Sequence, residues 1–276
     1  MLNSIKENNF QFNKKFGQNF IFDSNLLYAI VNDAKVDKNT NVLEIGAGAG
    51  TLTKKLAEKA KKVLSFEIDK NLEPILQDTL NGQNNVEIVF KDILKENVKD
   101  IESKFNNERY VLVANLPYYI TTPIIFKFLE EATNLDRITI MVQKEVAERI
   151  CALNNTPNYG AITVAINAVA KTKITRIVKR NMFKPAPNVD SAVVNIEFCN
   201  LYEIKNKELF KKVVSSAFAM RRKTLANNLK SSFNLTTEQV EDVLTSLNLK
   251  LDIRGEALNI KQFVDLTNIL NNILKP

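Results

Sequence analysis

Over the first 200 positions, short apolar runs alternate with longer stretches in which apolar residues recur every three or four. Asn41–Ile45 (NVLEI), Val63–Ile68 (VLSFEI), Val86–Phe90 (VEIVF), Tyr110–Ala114 (YVLVA) and Ile138–Val142 (ITIMV) are the short runs, rich in Val, Ile and Phe. Such runs read as strands buried on both faces. Helical patterns lie between them, and Thr122-Pro123 predicts one helix start, a cap residue followed by proline at the first helical position. Alternating strands and helices imply parallel strands joined by crossover helices, an α/β sheet covered on both faces. Two later runs, Ile174–Val178 and Ala192–Ile196, extend the sheet. The Pro-rich Phe183-Lys184-Pro185-Ala186-Pro187 between them is too short for a crossover helix and predicts an antiparallel hairpin at that edge.

After about Leu201 the period changes. Leu209, Phe210, Val213, Val214 and Phe218 fall at helical spacing, as do Val240, Val243, Leu244 and Leu247, and then Ile260, Phe263, Val264, Ile269 and Ile273. Two domains are therefore expected, an α/β domain over 1–200 and a small all-helical domain over 201–276. The length of 276 residues agrees, at roughly 150 residues per domain.

Composition narrows the chemistry. There is no histidine, which removes Ser-His-Asp and Cys-His nucleophiles and the usual zinc ligand. No metal site is expected. Cys151 and Cys199 lie far apart in no CxxC pattern, as suits a reducing compartment. The N-terminus is polar and no apolar run approaches membrane-spanning length, so a cytoplasmic location away from membranes is expected. The net charge of +7 is compatible with a nucleic-acid partner, yet a modest excess is as often a solvated surface.

Three of the chain's seven glycines stand together in Glu44-Ile45-Gly46-Ala47-Gly48-Ala49-Gly50, after the first strand and before a helix expected near Thr51. Glycines there permit a tight turn and close approach of a ligand. The dinucleotide fingerprint GxGxxG needs glycine at 51 or 53, which are Thr51 and Thr53, so a nicotinamide cofactor is disfavoured. Glu67 ends the second strand and suits two ribose hydroxyls. Asp92 follows the third and suits an adenine amine. The fourth strand ends in Asn115-Leu116-Pro117-Tyr118-Tyr119. The Asn115 side-chain carbonyl, with the backbone carbonyl of Leu116 or Pro117, offers two acceptors for an exocyclic amine, beside an aromatic that can stack on its heterocycle.

At NLPY with GxGxG upstream, the chain resembles the adenine amino-methyltransferases. Phe16-Gly17-Gln18-Asn19-Phe20-Ile21, Gln143-Lys144-Glu145-Val146-Ala147, Tyr159-Gly160, the segment from Phe183 to Val194 (FKPAPNVDSAVV) and the segment from Ala217 to Leu225 (AFAMRRKTL) narrow this to the KsgA-type rRNA adenine dimethyltransferases. The resemblance runs from about Lys14 to Phe263. It implies a Rossmann-like, S-adenosylmethionine (SAM)-dependent sheet, mostly parallel with one antiparallel edge, and a helical rRNA-binding domain. It implies dimethylation of two adjacent adenines near the 3′ end of small-subunit rRNA, in an immature ribosomal particle. Asn19, Ile21, Gly46, Gly48, Glu67, Asp92 and Asn115 are expected at SAM. Asn115, Leu116, Pro117 and Tyr118 are expected to hold the base, with Phe183 sandwiching it. Tyr119 stands where the family often has Asn. Such chemistry relies on orientation and electrostatics rather than on a strong base, which fits a chain without histidine.

Six basic residues and no acid lie between Lys171 and Lys184, and Arg221-Arg222-Lys223 form a second cluster. Lys179, Arg180, Lys184, Arg221, Arg222 and Lys223 are accordingly the candidate phosphate contacts. A monomer is expected. The nearest rival is a resistance-type methyltransferase of large-subunit rRNA, against which FKPAPNVDSAVV and AFAMRRKTL weigh. A non-catalytic RNA-binding factor on the same scaffold is disfavoured by the intact Glu67, Asp92 and NLPY.

Overall fold

The computed structural model describes residues 19–199 and 201–274, with the backbone alone at Tyr118. The chain divides into two units. The first runs to Ala147 and resumes over Lys173–Glu197; the second takes Glu148–Thr172 and the chain from Phe198 onward.

The first unit is built on a seven-stranded sheet. Its elements in order are β1 (Phe20–Ile21), α1 (Ser24–Asp33), β2 (Asn41–Ile45), α2 (Thr51–Ala57), β3 (Lys62–Glu67), α3 (Glu73–Thr79), β4 (Val86–Phe90), α4 (Val98–Ser103), β5 (Tyr110–Asn115), α5 (Thr121–Glu131) and β6 (Leu135–Gln143). After β6 come α6 (Lys144–Ile150), α7 (Ala161–Asn167), β7 (Ala170–Val178), β8 (Phe183–Lys184) and β9 (Ser191–Phe198). The sheet order is β4-β3-β2-β5-β6-β9-β7. Strands β4 through β6 in that order pair in parallel, and β9 is antiparallel to β6. All five residues of β2 and the first five of β5 are buried, as central strands covered on both faces require. Strand β4, at the edge, is only half-buried throughout. The chain winds one way from β2 to β4 and the other way from β5 to β6. The strand order thus reverses between β2 and β5, the point where open sheets bind ligands.

Two expectations shift in detail. Helix α5 begins at Thr121, because a 3-10 turn over Tyr118–Ile120 leads directly into it; Pro123 therefore sits within the first turn rather than at its first position. β7 and β9 are neighbours in the sheet, but the segment joining them is more than a hairpin turn. It carries β8, which pairs antiparallel with β1 in a separate two-stranded sheet.

Beyond Phe198 the helical unit, to which α7 also belongs, contains α8 (Lys207–Ala219), α9 (Leu225–Phe233), α10 (Thr237–Ser246) and α11 (Ile260–Ile273). Asn206 and Thr224 cap the first two, and capping boxes pairing Thr236 with Gln239 and Asn259 with Gln262 start the others. Its core joins Phe210, Val213, Leu229, Leu244 and Phe263 with Tyr159, Val164 and Ala168. The Tyr159 hydroxyl donates to the Leu258 carbonyl at 2.7 Å. Those contacts draw Glu148–Thr172 into the helical unit, which a single boundary at residue 200 does not foresee. Among the described residues no helix is long and apolar enough to cross a membrane.

Candidate active site

The carboxyl ends of β2, β3, β4 and β5 open onto one cavity of about 240 Å³, closed further by Asn19, Phe20 and Ile21 and by Phe183 of β8. β2 leads into the glycine turn. Gly46, Gly48 and Gly50 have φ of 82°, 55° and 78°, a region in which side chains are strained. Gly48 is required on a second count, since a Cβ there would stand 2.8 Å from the Phe20 ring.

That turn aims the Gly48 N–H at Glu67, whose Oε2 accepts it at 2.8 Å. Glu67 Oε1 accepts from the N–H groups of Ile68 (2.8 Å) and Asp69 (2.9 Å). Glu67 is buried, and loss of solvation pushes its carboxyl above the usual carboxylate value against the pull of these three N–H groups. Its orientation is therefore set by backbone before any ligand arrives. Glu44, on β2, is fully buried. Its Oε2 accepts from the Thr53 and Ser65 hydroxyls, each at 2.6 Å, and its Oε1 has no hydrogen-bond partner. Burial lifts this carboxyl to about 7, opposed by the two hydroxyls and aided by the charge of Glu67.

At the end of β4, Asp92 Oδ1 accepts from the Leu94 N–H at 3.0 Å and caps a short 3-10 turn. At the end of β5, Asn115 Nδ2 donates to the Asn19 carbonyl at 3.0 Å. This commits the amide's donor end and leaves its oxygen as the acceptor end. The Pro117 carbonyl already accepts from the Ile120 N–H at 3.1 Å and the Thr121 hydroxyl at 3.5 Å. Phe183, 3% exposed, is fixed as a wall by the pairing of Ile21 with Phe183.

Asn19, Ile21, Gly46, Gly48, Glu67, Asp92, Asn115, Leu116, Pro117 and Phe183, ten of the expected site residues, line this cavity. The Tyr118 side chain and Phe16, Gly17 and Gln18 lie outside the described residues. Phe20, Ile68, Ile93 and Tyr119 also line the cavity and were not singled out from sequence as ligand contacts. Two of them directly follow the strand-end acids Glu67 and Asp92, which was the available signal.

The basic candidates sit elsewhere. Lys179 pairs with Asp190 at 2.9 Å, and the same carboxylate accepts the Arg180 N–H. Lys184 is exposed on β8. Arg221 donates from Nη2 to the carbonyls of Pro157 and Tyr159, both at 3.1 Å. Arg222 and Lys223 are exposed in the turn between α8 and α9. Among the described residues no group of three or more Cys, Asp or Glu is placed to hold a metal.

A parallel sheet with a glycine turn, acids at successive strand ends and an Asn-led tetrapeptide at the switch point defines a Rossmann-like methyltransferase fold. The chain belongs to the ribosomal RNA adenine dimethylase family, which it matches over residues 9–272. It is 43% identical to ribosomal RNA small subunit methyltransferase A of Clostridioides difficile, over 97% of this chain and 93% of that one. It is 44% identical to the protein of the same name from Listeria monocytogenes, over 98% and 95%. Among solved structures it is similar to a dimethyladenosine transferase from Plasmodium falciparum, with a TM-score of 0.81, 27% identity and coverage of 92% and 98%. It is also similar to the 23S rRNA methyltransferase ErmE, with a TM-score of 0.72, 27% identity and coverage of 92% and 100%.

Proposed function

We propose that this chain uses SAM to dimethylate two adjacent adenines near the 3′ end of small-subunit rRNA in an immature ribosomal particle, acting as a monomer. The observation that carries the reading is the Asn115 amide, locked by Asn19 with its oxygen as acceptor, in the same cavity as the prealigned Glu67 and Asp92.

The donor set suits an adenosyl group. Glu67 and Asp92 provide carboxylate acceptors for ribose hydroxyls and a ring amine, and the apolar Ile68 and Ile93 follow them on the lining. Gly46, Gly48, Asn19 and Ile21 complete that region. SAM, when bound, supplies the activated methyl group. The chain's own part is to hold the target amine. For the first methyl, Asn115 Oδ1 accepts one N–H and the Leu116 carbonyl accepts the other, because the Pro117 carbonyl is engaged by its own turn; for the second methyl a single N–H remains, held by one of these two acceptors. Two acceptors favour a pyramidal nitrogen and release its lone pair from the ring. The buried Phe183 sandwiches the base in this reading, and the base must leave its stack to enter. The methylated amine is acidic enough to lose its proton without a strong base, so positioning and electrostatics carry the rate.

Lys179, Arg180, Lys184, Arg221, Arg222 and Lys223 supply the phosphate contacts in this reading. The similarity to ErmE keeps large-subunit rRNA as the alternative substrate. Incubating purified unmethylated small and large subunits separately with labelled SAM, and mapping the label by nucleotide, decides. Label confined to paired adenines of the small subunit is expected; label on the large subunit alone overturns the substrate.

A further inference from the structure

We propose that Tyr119 is a substrate-contacting residue that stacks on the nucleotide next to the adenine held in the cavity. The inference rests on the reading that adjacent adenines are the substrate. Leu116 and Phe183 on the cavity lining are 2% and 3% exposed. Tyr119 lines the same cavity and is 61% exposed. It is therefore a rim residue with ring surface open to solvent, beside Leu116 and Pro117 on the lining.

A lone exposed aromatic is ordinary on protein surfaces. This one differs in its position and its support. The turn carrying it is pinned by the Ile120 N–H to the Pro117 carbonyl. It runs without a break into α5, whose Ile124, Ile125 and Phe128 are completely buried. The ring thus stands on backbone that is already ordered, and a base can stack on it with little additional ordering cost. Moving a base out of its stack also strips one face of its neighbour. An aromatic at the cavity mouth restores that lost contact, and does so for any base because every base has a π-face. With paired adenines, the partner of the base in the cavity lies 3′ of it in one round and 5′ of it in the other. A single rim ring therefore serves one of the two rounds, and losing it stalls the pair half-modified.

The test uses the full-length protein, unmethylated small subunits and labelled SAM, comparing wild type with Tyr119→Ala and Tyr119→Phe. The stacking scale predicts that Tyr119→Ala raises KM for the particle about ten-fold. It also predicts unchanged SAM affinity by calorimetry and an accumulation of particles modified at one adenine of the pair. Tyr119→Phe should restore the wild-type KM, since the ring and not the hydroxyl makes the contact. Matching thermal melts establish that both variants fold. A wild-type KM in Tyr119→Ala overturns the proposal. Weakened SAM binding in Tyr119→Ala also overturns it, by assigning the ring to the cofactor. So does a Tyr119→Phe defect equal to that of Tyr119→Ala, by assigning the role to the hydroxyl. If the wild type itself leaves small subunits unmodified, the substrate reading fails first and this inference fails with it.

Discussion

At Glu44 the fold buries a carboxyl whose bonded neighbours are two hydroxyls, Thr53 at the start of α2 and Ser65 on β3. One residue thereby ties the helix after the glycine turn to the strand that ends in Glu67. Without solvation the proton is retained up to about pH 7. The native carboxyl titrates above its unfolded value, so its contribution to stability is full below about pH 4.5 and is lost as pH rises to about 7. Glu44→Gln removes the titration and keeps the shape. In urea unfolding at pH 5 and pH 8, the wild type should lose on the order of 3 kcal/mol more than the variant across that interval. Equal losses would mean that Glu44 is ionised in the folded state at both values. Asn115 acts on rate instead. Asn115→Ala should slow methyl transfer at saturating SAM by about a hundred- to a thousand-fold, the scale of removing one oriented polar group at a reacting centre. Some loss of SAM affinity is compatible with its place on the lining. A single-turnover rate near wild type would remove it from the chemistry.

Elements with strong periodicity were legible in the sequence. β2 and β5 are buried on both faces, and a run such as NVLEI or YVLVA has few other ways to be satisfied. The acids at the ends of β3 and β4 followed from those strands, and both stand on the cavity lining. Two-residue strands have no period to read, so β1 and β8 were invisible, although their pairing places Phe183 against Ile21. The stretch Glu148–Thr172 was misplaced for a different reason. The apolar spacing of Val164 and Ala168 is the same whether the helix covers a sheet or joins a bundle, and only long-range packing decides. Gly255 shows that packing at close range: a Cβ there would lie 2.6 Å from the Ala217 carbonyl oxygen of α8. Backbone cannot yield as a flexible side chain does. Gly255→Ala should therefore destabilise the helical unit by about 1–3 kcal/mol, the usual range for overpacking, read as a lower denaturation midpoint. SAM affinity should hold, because every residue lining the cavity belongs to the other unit.

For the whole molecule, recognition of a ribosomal particle depends on charge distributed beyond the cavity. The basic clusters do not contribute equally. Lys179 is neutralised by Asp190, and a phosphate must compete with that carboxylate for it. Arg221 holds two backbone carbonyls of the Pro157–Tyr159 segment, so replacing it disturbs local structure as well as charge. Arg222 and Lys223 are the cleaner probes, exposed in the turn between α8 and α9. Phosphate contacts release counterions, and particle affinity should fall steeply with salt. Replacing Arg222 and Lys223 together by Ala should weaken binding to small subunits and reduce the slope of log affinity against log salt by about two, one for each contact. SAM binding should not change. A filter-binding salt titration of wild type and the double variant makes the comparison. Parallel lines of equal affinity would show that this turn is a solvated surface, and the phosphate contacts would then be sought at Arg180 and Lys184. Parallel lines with weakened affinity would show that the residues act through local structure rather than by releasing counterions. Only a flattened slope assigns them to the RNA backbone.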